Sequence, residues 1–147
     1  MSTKDEIAAF MAQAFPSSRF TIAEATPKSA TVRRKVEAED TRPGGSVSGP
    51  MLMALADTAL YVAIHATIGL TPHAVTSSLN INFLRRPPAE RAVIAVCNLL
   101  KVGRTLVVGE VSLFSEGLDE PVAHVVGTYS IPPEKPDLSS ASKQGEA

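Results

Sequence analysis

Asp57 stands alone in its surroundings. Between Pro43 and Leu84 the chain has no Lys, Arg or Glu, and Asp57 is the only acidic residue there. The run from Met51 to Leu70 around it is nearly all apolar. Aspartate is a poor mid-helix residue, and a carboxylate on a buried face costs stability unless it is hydrogen-bonded or titrates. Such a break in local consistency marks a candidate catalytic residue. The plainer alternative is a structural Asp bonded to loop N–H groups or to a second chain, and the residues leave both open.

A second candidate group opens the same apolar run. Ser48 can cap a helix, and Pro50 is tolerated at a first helical position. The Gly49 N–H then points outward at the positive end of the helix dipole, which suits a developing oxyanion. Gly49 and Asp57 are about 12 Å apart along a helix axis. A single carbonyl cannot touch both. If both serve one reaction, they come from two copies of the chain, related by a two-fold axis.

Other reactive side chains carry less. Tyr61 and His65 follow Asp57 by about one and two turns on roughly one helix face, but a lone buried His is more often a satisfied core residue. His73 and His124 fall elsewhere, and no His, Cys or carboxylate set has metal-ligand spacing, so no metal is expected. Ser77 and Ser78 lack a nucleophile-elbow glycine pattern. Cys97, beside Val96 and Leu99, reads as a packed thiol. Gly44-Gly45 alone is too weak a signal for a phosphate loop.

The elements that must position these groups follow from pattern. Thr3-x-x-Glu6 has capping-box spacing ahead of Ile7, Phe10, Met11 and Ala14, which predicts a short helix. Phe20 to Ala25 and Thr31 to Glu37 read as strands, the second carrying Arg33, Arg34 and Lys35 as a solvated or edge strand. Thr41 to Gly49 reads as a loop. A long helix runs from Pro50 to about Ile68, with Gly69 as its stop. Val75 to Leu84, Arg91 to Leu100, Thr105 to Phe114 and Pro121 to Ile131 read as strands. Gly109 is the expected bulge, and the short links favour antiparallel neighbours. The order predicts an α+β fold with one antiparallel sheet.

Whole-chain properties set bounds on this reading. A chain of 147 residues, 44% hydrophobic and 20% charged, fits one domain, expected over 1–131, with a disordered tail from Pro132 to Ala147. A net charge of −1 gives no global pull toward nucleic acid or anionic membrane. Met51 to Leu70 is long enough to span a bilayer, but Asp57, Thr58, His65 and Thr67 lie inside it, so it reads as a core helix. One cysteine excludes an internal disulfide, and the acidic pair in MSTKDEIAAF does not suit a secretory leader. A cytoplasmic location is therefore expected. The long helix is apolar nearly all round and must be buried on more than one side.

The run Ser48-Gly49-Pro50-Met51-Leu52-Met53-Ala54-Leu55-Ala56-Asp57 resembles the His-Gly-Gly-x6-Asp helix start of hotdog-fold acyl-CoA thioesterases. The nearest group is the phenylacetic-acid-degradation type of the 4-hydroxybenzoyl-CoA thioesterase superfamily. The resemblance continues through Asn80-Ile81-Asn82-Phe83-Leu84-Arg85-Arg86-Pro87 and Val102-Gly103-Arg104-Thr105-Leu106 to Thr128, roughly residues 40 to 131. It implies a sheet wrapped around the long helix, dimers that often pair into tetramers, and hydrolysis of an acyl-CoA thioester without a cofactor. Asp57 matches the family's catalytic carboxylate, acting as general base or nucleophile. Gly49 matches the glycine whose N–H polarises the thioester carbonyl, and Thr76 falls where some members place a water-orienting hydroxyl. Arg85, Arg86, Lys101 and Arg104 fall near places where basic residues meet the nucleotide of CoA. Ordinary surface charge is the plainer alternative for each.

The chain also departs from that pattern. Ser48 replaces the usual His, Pro50 replaces the second Gly, and Arg42 falls about where several members place an Asn or Gln near the thioester. Pro50 leaves the Gly49 N–H intact. The departures motivate a rival, an acyl-CoA-binding protein without turnover. A second rival is a hotdog enoyl-CoA hydratase, which would need a His near Asp57, and only His65 is available.

Overall fold

Burial of one helix organises the chain. In the computed structural model, which describes residues 1–133, the helix α2 (Gly49–Ile68) lies against a six-stranded antiparallel sheet. Ahead of it come α1 (Lys4–Ala14), β1 (Phe20–Thr26), β2 (Ser29–Arg34), a short 3-10 turn (Ala38–Asp40), β3 (Thr41–Arg42) and β4 (Ser46–Val47). After it come β5 (Val75–Phe83), β6 (Val93–Val102), β7 (Leu106–Ser115) and β8 (Ala123–Ser130). The sheet order is β1-β2-β6-β7-β8-β5. From residue 134 on, the tail expected to be disordered lies outside the described residues.

The local signals for both helices act as read. The Thr3 hydroxyl accepts from the Glu6 N–H, and the Glu6 carboxylate accepts from the Thr3 N–H. The Ser48 hydroxyl caps α2 by accepting from the Met51 N–H at 3.3 Å. Gly69 closes α2 with a φ of 97°, a left-handed conformation that favours glycine. α2 has the length and mean hydropathy, 1.6, of a membrane span, yet 67% of that stretch is buried inside the fold. Its packing is that of a core helix.

Inward positions alternate as a half-buried sheet requires. Val93, Ala95, Cys97 and Leu99 on β6, Val107, Val111 and Leu113 on β7, and Ala123, Val125 and Tyr129 on β8 are all buried. Gly109 and Gly127 face one another in register on β7 and β8. A Cβ at Gly127 would lie 2.5 Å from Leu60 Cδ1, and one at Gly109 would lie 2.7 Å from Leu60 Cδ2. Leu60, 1% exposed, is thus seated on a floor that only glycine leaves open.

Three expectations need correction. The bulge is not at Gly109, which stays paired with Leu99. The extra residue is Leu100 across from it, where the register passes from Leu99 to Lys101. The glycine serves close approach instead. β2 is not an edge strand, because β1 covers its free side. Arg33 pairs with Glu116 at 2.7 Å and Arg34 with the buried Asp40 at 2.7 Å, while Lys35, past the strand, is exposed. The Thr41 to Gly49 segment contains a small ladder, pairing Thr41 with Val47 and Arg42 with Ser46. Gly44 and Gly45 turn it with positive φ values of 99° and 79°.

Gly127→Ala should destabilise the protein by about 1–3 kcal/mol through overpacking against Leu60. Urea unfolding followed by circular dichroism measures this. An unchanged midpoint would mean that Leu60 is not held where the glycines place it.

Candidate active site

Asp57 sits half-buried on α2, one turn before Leu60, with Ala56 and Ala59 buried on either side. Its carboxylate oxygen Oδ1 receives two hydrogen bonds. The Thr76 hydroxyl donates at 2.7 Å and the Tyr129 hydroxyl donates at 2.7 Å. The Tyr129 hydroxyl also lies 3.2 Å from the Asp57 carbonyl oxygen. Among the described residues, no hydrogen bond reaches Oδ2. Donors of this kind hold a carboxylate in one orientation and leave one oxygen for chemistry.

The two donors come from neighbouring strands. Thr76 on β5 is directly paired with Tyr129 on β8. Tyr129 follows Ala123, Val125 and Gly127 on the inward face, and is 3% exposed. Thr76 reaches that face through a bulge, since the β5 register passes from Thr76 to Ser78 and leaves Ser77 unpaired. Strict alternation from Leu79 and Ile81 would turn Thr76 outward with Ser78 and Asn80. One extra residue inverts the face and aims its hydroxyl at Asp57.

Burial, reinforced by the Asp57 charge, pushes the Tyr129 phenol well above its ordinary range. It therefore keeps its proton and donates at any physiological pH. Sequence reading missed Tyr129. The available signal was a tyrosine in the apolar phase of a strand, where its hydroxyl must find a partner.

Asp57, Thr76 and Tyr129 line a cleft of about 330 Å³, together with Tyr61 and residues of α1 and β1. Tyr61 spends its hydroxyl on the Pro72 carbonyl at 3.1 Å. His65 does not reach the cleft. It is 0% exposed, packed edge-on against Phe10 and Tyr61, and its Nδ1 accepts from the Thr71 N–H at 3.1 Å. Burial lowers its pKa to about 4, so it stays neutral. Cys97 is a sealed core thiol, pushed up to about 12 by burial and by the Glu110 charge.

Gly49 is the first residue of α2, so its N–H has no carbonyl within the helix to bond. A Cβ there would lie 3.1 Å from the Phe83 ring, which covers the glycine. The helix start is anchored from behind. The Ser48 N–H donates to the Asp40 carbonyl at 2.7 Å, and the Asp40 carboxylate holds Arg34 and Arg19. Gly49 does not line the Asp57 cleft.

The arginines divide. Arg85 is tied to Glu120 at 2.6 Å and to the Pro121 carbonyl at 2.7 Å, and Arg86 donates to the Gly44 carbonyl at 2.6 Å. Arg42 on β3 and Arg104 in the β6–β7 turn are exposed. None of the four lines the cleft.

A six-stranded antiparallel sheet around one long helix, with a lone carboxylate on that helix, defines a hotdog-fold protein. The model of the Thioesterase superfamily matches residues 44–122, and the chain belongs to that family. Among solved structures, it is similar to a Silicibacter sp. protein assigned provisionally as a thioesterase. That match has 40% identity and a TM-score of 0.80, covering 89% of this chain and 92% of that one. It is also similar to the phenylacetic acid degradation protein PaaI of Thermus thermophilus, with 27% identity and a TM-score of 0.69, covering 84% and 99%. Zebra fish thioesterase superfamily member 2 shares the fold at 23% identity and a TM-score of 0.79, covering 90% and 100%. No curated protein matches the chain.

Removing either donor should slow a reaction that depends on the orientation of Asp57. Tyr129→Phe and Thr76→Val should each lower kcat roughly 10- to 100-fold, the loss of one hydrogen bond to a charged group. Steady-state kinetics on any substrate the wild type turns over measures this. Unchanged kcat in both variants would detach the two hydroxyls from the chemistry.

Proposed function

We propose that the protein hydrolyses acyl-CoA thioesters to the free acid and CoA, in a site completed by a second copy of the chain. The observation that carries the reading is the Asp57 carboxylate, fixed through Oδ1 by Thr76 and Tyr129 at the wall of a cleft, with Oδ2 unclaimed among the described residues. Membership of the Thioesterase superfamily supports thioester hydrolysis as the reaction class.

In this reading Oδ2 takes a proton from water as the water oxygen attacks the thioester carbon. Negative charge moves to the carbonyl oxygen, where the Gly49 N–H of the second copy meets it at the positive end of α2. Collapse of the tetrahedral adduct breaks the carbon–sulfur bond, and the CoA sulfur recovers the proton from Asp57. Direct attack by Oδ2 would serve through an anhydride that water then opens. Neither route requires a cofactor. Arg42 and Arg104, exposed and outside the cleft, are left to meet the phosphates of CoA, whereas Arg85 and Arg86 are held by their own chain.

Two features support a second copy. Gly49 and Asp57 lie on one helix, too far apart for one carbonyl. Among the described residues β5 is an edge strand with one side unpaired, and α2 exposes Met53 and Ala54. Open edges and exposed apolar residues of this kind suit pairing with another chain. The hydratase alternative loses its only histidine, because His65 is sealed and bonded to Thr71.

The test is CoA release from short-chain, long-chain and aromatic acyl-CoA esters. Wild type should turn over at least one class, and Asp57→Asn should lower the rate by roughly 10²–10⁴-fold. Saturable binding of the esters with no turnover would point instead to the non-hydrolytic protein that Ser48 and Arg42 motivate.

A further inference from the structure

We propose that the acyl arm of the substrate lies in a groove between α1 and β1, making the chain selective for straight acyl groups of about ten carbons or more. The inference rests on the thioesterase reading of the Asp57 cleft and adds the substrate class.

The groove is a second cavity, of about 380 Å³, walled by Ala8, Met11, Ala12 and Phe15 on one side and by Phe20 and Ile22 on the other. It continues the catalytic cleft, because Met11, Phe15, Ser18 and Phe20 line both. The two differ in character. Around Asp57 the wall carries the hydroxyls of Thr58, Tyr61, Thr76 and Tyr129. Among the described residues, only the Ser18 and Thr21 hydroxyls interrupt the apolar surface of the groove, and no charged side chain lines it.

A thioester whose carbon stands at Asp57 sends two unlike arms away from it. The CoA arm carries phosphates and needs cations, which the groove lacks. The acyl arm is apolar and gains from leaving water. The groove therefore fits the acyl arm.

Small residues on α1 keep this space open. Ile7 and Met11 fix the helix to the core, and Phe10 packs on His65. Ala8 and Ala12, one turn apart and exposed, share the helix face that lines the groove. Phe15 stands at the junction of groove and cleft, its ring edge-on to Tyr61 with centroids 6.0 Å apart.

Length follows from the helix. Ala8 and Phe15 are two turns apart, about 10 Å along the axis. An extended chain advances about 1.2 Å per bond, so the groove alone holds about eight bonds, and with the carbonyl carbon standing at Asp57 the acyl group that fills it has about ten carbons or more. Acetyl would leave it empty, and a much longer chain would leave its end in water.

The experiment measures kcat/KM for straight-chain acyl-CoA esters from acetyl to palmitoyl, with calorimetric binding of decanoate alongside. In wild type, kcat/KM should rise about two- to fourfold per methylene and level off only past about ten carbons. Ala12→Trp, which fills the groove, should lower the decanoyl-to-acetyl ratio of kcat/KM at least about tenfold and weaken decanoate by a similar factor. Ala8→Trp should do the same from the far end, and covers the case in which one variant fails to fold. A flat chain-length profile, or a ratio unmoved by either folded variant, overturns the groove and leaves the thioesterase reading standing. No turnover of any ester by wild type sinks the thioesterase reading instead. Decanoate binding then decides the groove, kept if the tryptophans abolish it and overturned if they do not.

Discussion

The height of α2 above the sheet is set at Leu60. Its two methyl groups rest where Gly109 and Gly127 face each other in register, and a Cβ at either position would collide with it. Asp57 is one turn away on the same helix. Tyr129, two residues beyond Gly127, stands on the same inward face of β8. The contact that seats the helix therefore also brings the carboxylate to 2.7 Å from the phenol. Raising α2 by the radius of a methyl group would break both bonds to Oδ1. Packing and chemistry share one constraint here, and it is steric.

The other end of α2 is held differently. Asp40, buried and paired with Arg34 and Arg19, uses its backbone carbonyl to fix Ser48, and Ser48 caps the helix that Gly49 begins. Burying a carboxylate without such partners is costly. The helix thus presents a carboxylate near its middle and an open N–H at its start, each rigidly backed. The Asp57 cleft contains the first and lacks the second.

Much of this was legible in the residues. The capping box at Thr3 and Glu6, the Ser48 cap and the Gly69 stop are local chemistry, and they delimit both helices closely. Alternation at Leu79, Ile81 and Phe83 gave β5 its phase, and the isolation of Asp57 singled it out. The rest depended on events without a local signature. An extra residue at Ser77 reverses the face of Thr76, and strict alternation would have turned that hydroxyl away. A bulge at Leu100 rather than Gly109 is decided by what packs on the glycine, and Leu60 lies far off in sequence. Arg34 looked like surface charge because its partner, Asp40, reaches it only once the 3-10 turn folds back. Tyr129 could have been found by asking what its hydroxyl bonds to among apolar neighbours.

The central claim is that Asp57 and the Gly49 N–H act on one carbonyl from two copies of the chain. Subunit complementation tests it most directly. Asp57→Asn and Gly49→Pro, which removes the N–H at a position where a helix start tolerates proline, are co-expressed with different tags and purified as mixed dimers. Each parent alone should be nearly inactive on acyl-CoA. A mixed dimer has one site carrying both defects and one carrying neither, so it should recover about half of wild-type activity. Mixed dimers as inactive as either parent, or no dimers at all, would contradict a site shared between copies.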